Sequence, residues 1–226
     1  MEKMVPLEGV LCQVCGEKLF SSYVGDENGP LCGLCRRVPP EFRRAVAYGA
    51  YDGALRELIH LFKYQSMGPA GRVLARLLYR ATAQLALPDS LLVIPVPLWT
   101  GKRKTRGFNQ AEAIARVFLS LRERGSIQLD AATLVRGRET ASQTGLTRRQ
   151  RRANVRGAFA VAQAARIRGR SILLIDDVMT TGTTVNECAR VLRRAGAHEV
   201  FVATVARATK EVASVALLAA GAHGGN

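Results

Sequence analysis

Residues 172–185 read Ile-Leu-Leu-Ile-Asp-Asp-Val-Met-Thr-Thr-Gly-Thr-Thr-Val, and few folds accommodate that order. Ile172 to Ile175 form an apolar run without alternation, as expected of a strand covered on both faces in a parallel sheet. Asp176 and Asp177 stand where such a strand ends. A hydroxyl-rich turn with one glycine, Thr180-Thr181-Gly182-Thr183-Thr184, leads into a helical pattern through Val185, Cys188, Val191 and Leu192. Ligands of open α/β sheets gather at the carboxyl ends of strands, and helix N-termini attract anions. The turn suits a phosphate, through backbone N–H groups and Thr hydroxyls, while paired carboxylates suit sugar hydroxyls. A solvated Asp pair followed by a Thr N-cap is the competing reading. Four features must coincide in order, so the layout of a ribose 5-phosphate site is preferred.

The chain has 226 residues, enough for one sizeable domain with a small appendage. Its net charge of +15 is unevenly placed: residues 101–156 hold 14 basic and 4 acidic side chains, two thirds of the excess in one quarter of the chain. Such a concentration points to a polyanionic ligand: pyrophosphate, nucleic acid, or both. Arginine outnumbers lysine 27 to 6, a skew that genome composition alone would also produce. Met1 to Leu11 lacks the pattern of a secretory leader, and the longest apolar run, 212–220, is far below the roughly 20 residues of a membrane span. A cytoplasmic protein without membrane insertion is expected.

Cys12, Cys15, Cys32 and Cys35 are spaced C-x2-C-x16-C-x2-C, the interval of a structural zinc site. Two such knuckles complete a tetrahedral thiolate shell with no open position for catalytic water. Gly16 and Gly33 follow cysteines where tight turns favour a residue without Cβ. Disulfides or a redox CxxC are the alternatives; without a secretory signal a disulfide is not expected, and a redox motif needs no duplication at this spacing. Cys188, alone on an apolar helix face, reads as core.

Pro39-Pro40 marks a boundary, giving a zinc ribbon over 1–40 and a second domain over 41–226. Within the latter, a short strand is expected over Arg43 to Tyr51, then a helix through Leu55, Leu58, Ile59 and Phe62 to Lys63-Tyr64, and a second helix after Gly68-Pro69. Leu91 to Ile94 is a strand stopped by Pro95 and Pro97, and residues 110–124 form an amphipathic helix. Further strands are expected near 132–135, 158–161, 172–175 and 200–206. Strands alternating with helices indicate an α/β fold with a parallel sheet flanked by helices. Lys63 reads as a favourable cation at a helix C-terminus.

Two more motifs carry charge. Pro95-Val96-Pro97-Leu98 runs into a basic loop with Lys102, Arg103, Lys104 and Arg106, then Gly107-Phe108-Asn109-Gln110. The segment from Arg138 through Thr140, Gln143, Gly145 and Arg148-Arg149 to Arg151-Arg152 is polar and basic, as a mobile loop is. Solvated surface is the bland reading of both.

The 172–185 segment resembles the phosphoribosyl-pyrophosphate (PRPP) signature of type I phosphoribosyltransferases, and the full order of motifs, with four cysteines in front, is similar to the ComF family of competence-associated phosphoribosyltransferase-like proteins. The resemblance implies a type I phosphoribosyltransferase fold. It implies that Asp176 and Asp177 hold the ribose hydroxyls and Thr180, Thr181, Gly182, Thr183 and Thr184 the 5′-phosphate. Arg103, Lys104, Arg106 and Gly107 would form the pyrophosphate loop, with Arg106 the first candidate to neutralise the leaving group. Arg138, Thr140, Gln143 and Arg152 would belong to a flexible hood. The implied cofactors are structural zinc on Cys12, Cys15, Cys32 and Cys35 and magnesium with PRPP. Purine-salvage members place an Asp base three residues after the second acid; that position is Thr180 here, which disfavours a 6-oxopurine and leaves the base unassigned. Three functions compete: a phosphoribosyltransferase of unknown acceptor linked to natural competence, a single-stranded-DNA-binding uptake factor working with other uptake proteins, and a PRPP-sensing regulator without catalysis.

Overall fold

A computed structural model describes residues 4–19, 29–65, 68–122, 126–140 and 147–209. Seven strands follow in chain order: β1 (Arg44–Ala50), β2 (Leu91–Pro95), β3 (Ile127–Leu129), β4 (Leu134–Arg136), β5 (Phe159–Val161), β6 (Ser171–Met179) and β7 (Glu199–Arg207). Between them run the helices α1 (Gly33–Arg37), α2 (Gly53–Gln65), α3 (Gly68–Thr82), α4 (Thr100–Arg106), α5 (Gln110–Ser120), α6 (Arg148–Val155) and α7 (Thr183–Arg194).

Five strands form a wholly parallel sheet in the order β1-β7-β6-β2-β3. The unbroken apolar run of β6 has its physical reason here. Ile172 and Leu174 point to one face, with Leu92, Ile94, Val200 and Val202, against Val185, Cys188, Ala189 and Leu192 of α7. Leu173 and Ile175 point to the other, with Val93 and Ala203, against α2, α3 and α5. Both faces are dry, so alternation has no solvent side to mark. Truncating Leu174 to Ala is expected to cost about 2–5 kcal/mol, the usual range for a fully buried Leu.

The connection from β2 carries α5 onto one face, and that from β6 carries α7 onto the other. The crevice outside the carboxyl ends of β2 and β6 is therefore the switch point of the sheet, where ligands of this architecture bind. Pairing of β2 with β6 stops at Pro95 opposite Ile175. β6 itself runs on beside β7 to Met179, with Asp176 opposite Thr204. The acids thus lie within the strand, past the end of its neighbour, rather than after a strand ending at 175.

Three expectations change in detail. The segments near 132–135 and 158–161 are strands, but β4 and β5 pair antiparallel as a separate two-stranded sheet. The basic stretch after β2 is not a loop but the helix α4, ended by Gly107 at φ +80° in the left-handed conformation. Gly33 opens α1 and a Cβ there would meet nothing, whereas Gly16 sits at φ +69° with Ala45 O 3.2 Å from where a Cβ would be. The edge strand β3 carries no sequence signal beyond three residues. Cys188 is fully buried, as its apolar helix face predicts.

Candidate functional site

The site is assembled where β6 outruns β2. Asp176 Oδ1 accepts the Asp177 N–H at 2.9 Å, and Asp177 Oδ1 accepts the Val178 N–H at 2.8 Å. Asp177 Oδ2 lies 2.7 Å from Lys63 Nζ, both side chains less than a fifth exposed. Burial pushes the Asp176 carboxyl well up, and the Asp177 charge beside it pushes further. Asp177 moves the other way: burial opposes ionisation, but the Lys63 ammonium holds it below the usual carboxylate range. Lys63 in turn is pushed up by Asp177 against its own burial. One cation against two acids keeps one firmly ionised and leaves its neighbour reluctant.

The turn closes over Asp176. Gly182 at φ +74° immediately precedes α7 and supplies the left-handed residue the reversal needs. The Thr181 and Thr183 hydroxyls are 3.0 Å apart. Asp176, Thr180, Gly182, Thr183 and Thr184 together line a small hollow of about 20 Å³ in front of the helix N-terminus. Backbone N–H groups there have no intrahelical acceptors. Arg151 Nη1, from α6, donates to Thr180 Oγ1 at 3.1 Å.

The basic residues divide. Arg106 is partly buried, donates to Gln110 Oε1 at 3.3 Å and lies 5.6 Å from the Tyr64 ring centroid. Arg103 points to Glu112, at 3.8 Å, and Lys104 is exposed. Asn109 caps α5 and donates to Val96 O, just past the end of β2, at 3.1 Å. In the hood segment, Arg138 Nη2 donates to the carbonyls of Asn154 and Arg156, at 2.9 Å each, so it braces the end of α6. Thr140 is buried and accepts from Arg136. Arg152 lines, with Thr181, Gly182 and Thr183, a cleft of about 450 Å³ that reaches the cysteine knuckles at Cys15 and Cys35. Gln143 lies outside the described residues.

Sequence reasoning missed the role of Lys63 and the place of Arg207; Arg151 falls in the segment it took as a hood. Lys63 reads as a helix-end cation, yet it points into the acids; only a second-strand partner reveals that. Arg151 reaches the turn, and Arg207 ends β7 beside the cysteines.

Cys12, Cys15, Cys32 and Cys35 are buried, with all four sulfurs within 4.8 Å of one another. Cys15 and Cys32 Sγ are 3.7 Å apart; four thiolates at about 2.3 Å from a tetrahedral zinc would be about 3.8 Å apart. Arg207, only 3% exposed, has a guanidinium nitrogen 3.7 Å from Cys15 Sγ, and its Nε and Nη1 have no hydrogen-bond partner. A buried cation with unused donors fits a cluster of thiolates that carries net negative charge when metallated. The donor set can hold a zinc ion. No helix among the described residues is long and apolar enough to cross a membrane, and the apolar run 212–220 lies outside them.

A phosphoribosyl transferase domain model matches residues 104–215. Competence protein F of Haemophilus influenzae is 36% identical over 216 residues, covering 88% of this chain and 90% of its own. DNA utilization protein YhgH of Escherichia coli O157:H7 is 36% identical over 198 residues, covering 85% and 82%. Competence protein ComFC of Streptococcus pneumoniae is 25% identical over 213 residues, covering 88% and 89%.

Proposed function

The chain belongs to the family of competence protein F and DNA utilization protein YhgH, phosphoribosyltransferase-domain proteins linked to DNA uptake, and from that membership we propose that it binds PRPP and transfers ribose 5-phosphate to an acceptor not yet identified. One observation carries the reading: Asp176 and the turn residues Thr180, Gly182, Thr183 and Thr184 line one hollow at the switch point of the sheet. The carboxylates of Asp176 and Asp177 would accept the ribose hydroxyls. The N-terminus of α7 and its threonines would hold the 5′-phosphate.

In the reaction the C1–O bond to diphosphate breaks, the diphosphate departs with the electron pair, and the acceptor forms the new bond to C1. Positive charge grows on the sugar, and Asp176 and Asp177 would lie beneath it. Arg106, held against Tyr64 at the end of α4, would meet the departing negative charge from the β2 side of the crevice. Magnesium accompanying the diphosphate would add to that neutralisation. With Arg151 on Thr180 and Arg152 lining the same cleft as Thr181, α6 would act as a cover that excludes water, the competing nucleophile. The acceptor proton needs a base, and the position of an Asp base in purine-salvage enzymes is Thr180. The four cysteines would hold zinc as a structural clip, since four thiolates leave no site for substrate.

The test is calorimetry with PRPP and magnesium. Wild-type protein binds, and the double substitution Asp176→Asn with Asp177→Asn abolishes binding; unchanged affinity in the double mutant would refute the reading. Pyrophosphate release across a panel of nucleobases separates transfer from PRPP sensing alone.

Nucleic-acid binding is the second reading. α6 carries Arg148, Arg149, Arg151 and Arg152 with no acidic residue, and the relatives are named for competence and DNA utilization. Retention of single-stranded DNA should then fall steeply with salt. If replacing those four arginines leaves retention intact, this reading fails.

A further inference from the structure

Three successive residues at the end of α2 each grip a different part of the crevice. Phe62 packs edge-on against Phe108, centroids 5.2 Å apart. Lys63 Nζ meets Asp177 Oδ2 at 2.7 Å. The Tyr64 ring lies under the Arg106 guanidinium at 5.6 Å. One helical turn therefore touches the loop before α5, the acid pair of β6 and the basic end of α4.

Its backbone is held in place. Gly71 of α3 lets Phe62 approach so closely that a Cβ there would fall 2.8 Å from the ring. Leu55 and Ile59 anchor the rest of α2 in the core. The Lys63 side chain leaves this fixed helix and runs to the sheet.

A buried ion pair is a poor device for stability alone, because desolvating two charges offsets most of their attraction. Its location is the informative fact. Asp177 Oδ1 already accepts the Val178 N–H and Oδ2 accepts from Lys63. Each carboxylate oxygen has room for one more hydrogen bond, and the rotamer is fixed from both ends.

Resting on the phosphoribosyl reading above, we propose that Lys63 is a positioning residue: it holds the Asp177 carboxylate in the one orientation in which its remaining acceptor positions face a ribose hydroxyl. Lys63 touches no substrate. It also leaves any single proton of the acid pair on Asp176, so the two acids have different roles, one a fixed acceptor and the other able to donate or accept. The ionisable groups facing Lys63 are Asp177 and Asp176 from β6 and Tyr51 from the turn between β1 and α2.

The experiment compares wild type, Lys63→Gln and Lys63→Arg by calorimetric titration with PRPP and magnesium from pH 5.5 to 8.5, with urea unfolding as the check on fold. Wild type binds with little change over this range. Lys63→Gln binds at least tenfold more weakly at pH 7.5, and its affinity falls further toward acid, where the unsupported acid pair takes up a proton. Lys63→Arg restores the flat pH profile and part of the affinity. A folded Lys63→Gln protein with wild-type affinity and a flat profile overturns the proposal and leaves PRPP binding standing. Wild type that binds no PRPP overturns the reading beneath it instead. If Lys63→Gln does not fold, Lys63→Arg decides: a loss of affinity as large as that of Asp177→Asn, without the flat profile, counts against positioning by charge.

Discussion

Arg207 Nη2 lies 3.7 Å from Cys15 Sγ, on a residue only 3% exposed, and the same nitrogen meets Glu17 Oε2 at 2.5 Å. The last residue of β7 thus sets a cation against the cysteine cluster. Four thiolates on Zn²⁺ carry two net negative charges, and a guanidinium with spare donors lowers the cost of burying them. Arg207→Met is expected to release zinc to a chelator faster than wild type and to lower urea stability by about 3–5 kcal/mol, the usual cost of breaking a buried charge pair. A colorimetric zinc-release assay beside urea unfolding checks both. Equal release rates would remove Arg207 from the account.

Metal loading should also move protons. Hydrogen bonds from Cys15 and Cys35 hold the Cys12 thiol far below its ordinary range, while the contact to Cys12, with burial, pushes Cys35 up and Cys15 up to about 12. The metal-free cluster therefore retains protons near neutral pH, and zinc must displace them. Titrating chelated protein with zinc in weak buffer should acidify it and raise the thermal midpoint, with affinity falling as pH falls. Zinc addition with neither effect would rule out a structural zinc.

Adjacent Asn substitutions in β6 should have opposite signs. Asp176 titrates above the ordinary carboxylate range because of burial and then Asp177; its contribution to stability is full below that range and lost as pH rises through its folded value. Asp176→Asn removes that loss while its oxygen still accepts the Asp177 N–H, so it should stabilise by about 1 kcal/mol near pH 7, with the gain shrinking in acid. Asp177 is held low by Lys63 despite burial; its contribution is present above the ordinary range and lost as pH falls through its folded value. Asp177→Asn strands the Lys63 charge and should destabilise by roughly 1–3 kcal/mol, less than a full orphaned charge because Asp176 takes over part of the pairing. Urea midpoints from pH 4 to 8 decide; shifts of the same sign in both variants would contradict the division of charge.

The legible parts of this protein were those written locally. Ile172 to Ile175, two acids, a glycine turn and a helix occupy consecutive positions, so one stretch of chain specifies strand, site and helix N-terminus together. The cysteine spacing is equally explicit. What the sequence hides is set by partners far along the chain. Lys63 closes an amphipathic helix like many surface lysines, and only the packing of α2 on β6 aims it at Asp177. Three-residue strands such as Leu134–Arg136 and Phe159–Val161 carry too little pattern to choose between the main sheet and each other. The Lys102–Arg106 charges conceal a short helix, because repulsion between like neighbours argues for a loop until Gly107 is seen to cap it.

Gly182 tests the turn by conformation rather than by space. A Cβ there would meet only Met179 Sδ, at 3.8 Å, but the residue sits at φ +74°. Gly182→Ala should cost about 1 kcal/mol from the left-handed backbone alone, and Gly182→Asn, which tolerates that region better, should cost less. Inorganic phosphate binding should weaken in the same order. An Ala variant as stable as wild type, with unchanged phosphate affinity, would show that the turn does not need this conformation.

Arg138 tests the hood separately from the core. Its guanidinium meets the carbonyls of Asn154 and Arg156 at 2.9 Å each, satisfying acceptors at the end of α6 that the helix leaves open. The capping box of Thr147 and Gln150 secures the other end. Arg138→Ala should therefore fray α6 from its C-terminus while the parallel sheet keeps its stability. A charge-assisted hydrogen bond contributes about 1.5 kcal/mol, so amide exchange over 150–156 should quicken about tenfold with little change across β6 and β7. Retention of wild-type exchange in α6 would mean that the segment is held by Val155, buried against the sheet, and not by its arginine brace.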